Sequence, residues 1–225
     1  MMRRVARENS LALVFLLLFL VALMFQAIAG HAAYNDEQTS HMEPGVSFWR
    51  YVTSSPFAVS VMENWQSEYL QFTLFIVLTV WLFQKGSPES KPLDSPGRES
   101  DERQRVGRHA RADSPAAAKQ GGLKRALYEN SLLIVMGAIW IASWLAQSLT
   151  GLVEYNAEQV EHHQAAINWI EYLGNASFWE RTLENWQSEF LAVGSMAIFA
   201  VYLRQRGSPE SKPVGASHDA TGVEG

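Results

Sequence analysis

Apolar residues in this chain come in runs rather than at helix or strand spacing. Leu11 to Gly30 is twenty residues without a charge, and Ser131 to Val153 is a second uncharged stretch of similar length. Each is long enough to cross about 30 Å of hydrocarbon as a helix. Two shorter runs, Tyr69 to Phe83 and Phe190 to Leu203, hold 15 and 14 uncharged residues. These reach spanning length only if each helix begins earlier, within or before the polar block that precedes it. The pattern predicts four transmembrane helices.

The runs belong to a repeat. Residues 8–92 recur at 129–213 at a constant offset of 121 with no gap. Glu8-Asn9-Ser10-Leu11 matches Glu129 to Leu132, and Tyr34-Asn35-Asp36-Glu37-Gln38 matches Tyr155-Asn156-Ala157-Glu158-Gln159. Glu63-Asn64-Trp65-Gln66-Ser67-Glu68 matches Glu184 to Glu189, and Gly86 to Pro92 matches Gly207 to Pro213. Each copy is expected to be a helical hairpin with both ends on one side, so the two hairpins are related by a pseudo-two-fold axis along the membrane normal. The fold class is therefore all-α, a bundle of four helices from two hairpins.

Asn9 or Ser10 is expected to cap the first long helix, which continues past Gly30 through the Tyr34–Gln38 block. A second helix is expected from Ser55-Pro56 to about Gln84, stopped by Gly86 and Pro88, with Asn175 to Gln205 as its copy. Residues 1–92 and 124–213 then form the two-span repeats. Residues 93–123 are rich in Ser, Pro, Gly, Arg and Glu. Such a segment buries too little apolar surface to fold, and is expected to be a disordered linker, as residues 214–225 are a disordered tail.

Net charge is -5, and its distribution matters more than its total. Arg3, Arg4 and Arg7, the stretch from Lys85 to Arg125, and Arg204, Arg206 and Lys212 carry most of the basic residues, whereas the hairpin loops hold only Arg50 and Arg181. The positive-inside rule puts both termini and the linker in the cytoplasm. The basic linker has acidic residues interspersed and no interleaved aromatics, so nucleic acid is not expected as a partner. The N-terminus also fits a secretory leader ending in Ala27-Ile28-Ala29 or His31-Ala32-Ala33. A matching segment in mid-chain argues against cleavage. There is no cysteine, which excludes disulfides and thiolate metal sites.

The candidate polar or ion site is the twice-written block: Glu63, Asn64, Ser67 and Glu68 with Glu184, Asn185, Ser188 and Glu189. Helical spacing puts Glu63 and Ser67 on one face, continued by Gln71, and Asn64 and Glu68 on the next. Charge at membrane depth costs about 2.5–3.5 kcal/mol at a helix centre, less near the interface. The block therefore reads either as interhelical packing glue at the outer interface, or as four carboxylates lining a cation or proton path. A second, weaker constellation is Glu37 and His41 with Glu158 and His162, a set that could ligate zinc, iron or manganese. Gln26 and Gln147 are a matched pair placed to bond between helices. No nucleophile motif or phosphate-binding glycine loop is present, and no cofactor is expected.

The Glu-Asn-Trp-Gln-Ser-Glu-aromatic-Leu block, the Tyr-Asn-x-Glu-Gln…His block and the Gly-Ser-Pro-Glu-Ser-Lys-Pro tail resemble an uncharacterised bacterial family of small integral membrane proteins, a domain of unknown function. The resemblance covers both repeats and implies membrane location and bacterial origin, without transferring any catalytic residue. The expected function is that of a non-catalytic scaffold in the bacterial inner membrane, with the lipid bilayer and a second copy or another membrane protein as partners. The alternatives are a small cation or proton transporter and a Glu/His metalloprotein.

Overall fold

The computed structural model describes residues 2–225, with side chains described from Arg4 onward. Among the described residues all regular structure is helical, with no strand: α1 (Met2–Glu8), α2 (Ser10–Ser40), α3 (Phe48–Val52), α4 (Ser55–Leu78), α5 (Gly122–Glu129), α6 (Ser131–Glu161), α7 (Trp169–Leu173) and α8 (Ala176–Tyr202). Helices α2 and α6 are 31 residues each, and the starts of α2 and α6, α3 and α7, and α4 and α8 all lie 121 apart. The apolar runs continue as helix through Gly30 and the Tyr-Asn block. They stop where His41 N–H returns to the Glu37 and Gln38 carbonyls, ahead of Pro44-Gly45.

Asn9 does not cap α2. Its side chain reaches back to the Val5 carbonyl at 2.9 Å, closing α1, and Asn130 does the same to Ala126 at 2.7 Å. Asparagine competes for the carbonyls of the preceding turn, so it marks a break in both copies rather than a start.

Two helices, not four, are long and apolar enough to cross a membrane among the described residues: α2 and α6. Helices α4 and α8 have the length, at 24 and 27 residues, but carry the polar block in their middle turns. Helix α4 also ends at Leu78, short of the expected Gln84. Thr79 donates its hydroxyl to the Phe75 carbonyl at 2.6 Å, and the Val80 carbonyl is taken by the Gly97 N–H at 2.9 Å, which draws the chain out of the helix. Helix α8 runs three residues further than the copy of Leu78, to Tyr202.

The chain divides into two compact units. The first comprises residues up to Val61 together with Leu149–Asn168. Within it α2 buries only Ala27, and its leucines and phenylalanines face outward, Leu17 being 61% exposed. Contacts concentrate at the far end of α2, where Gly30 lies so close to Tyr51 that an added Cβ would collide with the phenol oxygen. The Tyr51 ring packs on Tyr34 and Phe57 with centroids 5.6 and 5.5 Å away. Burial and the neighbouring Glu154 push its hydroxyl above the usual tyrosine range.

The second unit comprises Met62–Ser148 and Trp169–Gly225. Its core includes Leu70, Tyr172, Phe178, Ala200 and Val201. Tyr172 and Phe178 meet at 5.4 Å, as their copies Tyr51 and Phe57 do in the first unit. Residues 93–123 and 214–225, expected as disordered linker and tail, are placed as turns with defined partners. The former holds two short 3-10 helices, Gly107–His109 and Ala116–Lys119, and Asp101 receives Arg125 at 3.0 Å. The latter is held by Lys212, 1% exposed, which donates to the carbonyls of Ser217, His218 and Ala220 at 3.0 to 3.3 Å.

Candidate functional site

The two copies of the polar block lie on α4 and α8 within the second unit, and they turn different faces inward. On α4, Glu63 is half-buried and Gln66, Ser67 and Leu70 are buried, while Asn64 and Glu68 are exposed. This is the Glu63–Ser67 face expected from helical spacing. On α8 it is Thr182, Asn185, Trp186 and Glu189 that are buried or half-buried, while Glu184 and Ser188 are exposed. The inward face has moved back by two positions of the repeat, about 160° around the helix axis. Identical strings thus make unlike surfaces.

The inward groups bond to one another. Gln66, with no exposed surface, accepts the indole N–H of Trp186 at 2.7 Å. The Ser67 hydroxyl faces Glu189 at 3.5 Å while donating to the Asn64 carbonyl at 2.9 Å. Glu63 pairs with the guanidinium of Arg181, which the structure places near the start of α8. A carboxylate that would otherwise face desolvation alone is therefore compensated. Of the four carboxylates, Glu63 is engaged by Arg181, Glu184 and Glu68 are exposed, and Glu189 is half-buried against Ser67. Sequence reading used Arg181 only as a topology signal, because its pairing with Glu63 on the other helix is not visible from spacing along one helix.

Gln147, 2% exposed, donates to Thr182 on α8 at 3.4 Å, and Gln26 donates to Ser60 on α4 at 3.3 Å. Each matched glutamine thus bonds the first long helix of its hairpin to the second.

The metal set is not assembled. His41 pairs with Glu161 rather than with Glu158, and Glu37, Glu158 and His162 are exposed. Among the described residues no group of three or more histidine or acidic side chains could hold a metal ion. What the Tyr-Asn block supplies instead is its asparagine. Asn35 accepts the Val46 N–H at 2.7 Å and donates to the Val46 carbonyl at 3.1 Å. Asn156 makes the same pair of bonds with Ile167, both at 2.9 Å. A primary amide offers donor and acceptor together, and so can close a loop on a single peptide position.

The Gly-Ser-Pro-Glu-Ser-Lys-Pro tails also form one structure twice. The Ser90 hydroxyl accepts the Gln84 N–H at 3.0 Å and Ser211 accepts that of Gln205 at 2.9 Å, each holding a backbone N–H a few residues past the end of its helix. Gly86 and Gly207 sit at φ of +86° and +80°, the left-handed region glycine allows. The lysine then reaches forward to carbonyls, Lys91 to Gly97 at 2.9 Å and Lys212 to the tail.

A family model described as Domain of unknown function (DUF6766) matches residues 2–223. No curated protein and no solved structure matches the chain.

Proposed function

We propose that this chain, which belongs to the Domain of unknown function (DUF6766) family, is a four-span, two-repeat protein of the bacterial cytoplasmic membrane that acts without catalysis, as a scaffold for a membrane partner or a second copy of itself. The outward apolar surface of α2 supports a lipid environment, since an unpaired face of this kind is stable against hydrocarbon and not against water. The basic clusters support cytoplasmic termini and linker. Helices α4 and α8 would enter lipid together, with their polar block turned towards each other.

The observation that carries the scaffold reading is the Gln66–Trp186 bond, with the Glu63–Arg181 pair beside it. The most polar part of the repeat is spent on holding helices together, as expected of packing glue. One observation favours cation or proton passage instead, the approach of Ser67 to Glu189. The two readings separate in proteoliposomes. The scaffold predicts no proton or alkali-cation flux above protein-free vesicles; flux that is lost in Glu68→Gln or Glu189→Gln would overturn it.

A further inference from the structure

The second unit holds a cavity of about 490 Å³ between the end of α4 and the last turns of α8. Its walls include Leu74, Phe75, Phe83 and Phe190, with Gln71 at one end and Glu89 at the other. The space exists because α4 stops at Leu78 and because α8 presents Gly194, beside which a Cβ would meet nothing within 4 Å. Small-molecule sites have this character: a few hundred Å³, mostly apolar, with a few convergent polar groups. We propose that this cavity binds a lipophilic monovalent cation, its apolar body among the phenylalanines and its charge at Glu89 and the neighbouring Glu210.

The occupant's sign follows from the carboxyl end. Glu89 and Glu210 are the same residue of the two copied tails, and both are exposed at the mouth of the cavity, close enough to share a proton. Two carboxyls in contact hold one proton between them, because both cannot ionise without repulsion. Burial and Glu210 together push Glu89 up to about 7. The surrounding cations are committed elsewhere: Lys85 to Asp219 at 2.9 Å, Lys91 to Gly97, Lys212 to tail carbonyls, and Arg204 to Ala216 at 3.0 Å. His218 faces the Val201 carbonyl, and Arg206 is exposed. A positive ligand head would take the place of the shared proton instead. Binding then exchanges one proton for one cation: the shared proton leaves to water, both carboxylates remain, and the ligand charge lies between them. Phenylalanine faces add attraction for an organic cation. A neutral amphiphile would gain nothing from the carboxyls.

The test uses the full chain in phosphatidylcholine nanodiscs, with tetraphenylphosphonium as probe and empty discs as blank. Saturable binding of one cation per chain is expected, about tenfold tighter at pH 8 than at pH 6, since one proton with a pKa of about 7 competes. Close to one proton is released per cation bound at pH 6. Glu89→Gln removes the pH dependence and weakens binding at pH 8. Gly194→Leu fills the cavity and abolishes binding while leaving the carboxyl pair in place. Absence of saturable binding, equal affinity at both pH values, or unchanged binding in Gly194→Leu would overturn the proposal. So would equally effective competition by uncharged octyl glucoside, which would make the cavity a seat for acyl chains only. This site goes beyond the scaffold reading and does not depend on it: flux and topology experiments leave these binding outcomes unchanged.

Discussion

At the scale of single residues, the repeat preserves side chains whose bonds no aliphatic residue can replace. Asn35 and Asn156 each close an eleven-residue return on one peptide. Replacing either with alanine removes two hydrogen bonds and leaves the half-buried N–H of Val46 or Ile167 without that acceptor, at a cost of about 1–3 kcal/mol. Denaturation of the full chain in detergent should show that loss in Asn35→Ala and in Asn156→Ala, and aspartate at either position should restore only part of it, because it accepts the backbone N–H but has no amide donor. Arg181 offers a second test. Arg181→Leu strands the Glu63 carboxylate, whereas Arg181→Leu with Glu63→Gln removes the stranded charge, so the double variant should be more stable than Arg181→Leu alone in the same assay. Equal stability would mean the pair carries no coupling. None of these bonds followed from spacing alone. The repeated Tyr-Asn string was visible, but attention to Glu and His suggested a metal, whereas its shared chemistry lies in the amide.

At the scale of elements, helix positions were legible because runs of apolar residues longer than four turns have no stable alternative to helix. Breaks were legible only where glycine and proline impose them. The early end of α4 was not, since it depends on Gly97, nineteen residues beyond Leu78, taking the Val80 carbonyl. The tail motifs carry a pH prediction. A carboxyl held above its ordinary value takes up protons in the folded state, so its contribution favours packing at low pH. That contribution falls as pH rises from the ordinary glutamate range and is gone above about 7. Gly222 N–H bonds to the Ser87 carbonyl and Gly86 N–H to Thr221, which seats the C-terminal residues on the first tail motif. Amide exchange at residues 84–92 and 217–222, corrected for intrinsic rates, should therefore be slower at pH 5 than at pH 8. Glu89→Gln, which is neutral throughout, should remove most of that difference. Equal protection at both pH values in the unaltered chain would show that the carboxyl pair does not hold the tail.

At the scale of the whole molecule, the proposed topology makes one compact prediction. Reporter fusions after residue 110 and after residue 225 should both report the cytoplasm, and fusions after Glu43 and after Gln164 should both report the exterior. A linker found outside would overturn the four-span reading, and so would matching signals from all four positions. What the amino-acid string determined by itself was the helical class, the duplication and those helix boundaries that glycine and proline impose, because these depend on local periodicity and on residues that forbid continuation. Tertiary structure alone decided how two identical strings are used. Glu63 and Ser67 turn inward on one helix, Asn185 and Glu189 on the other, and a single arginine answers only one of the four carboxylates. A helix carries its residues at every angle, so the face that is buried is chosen by the neighbour it packs against.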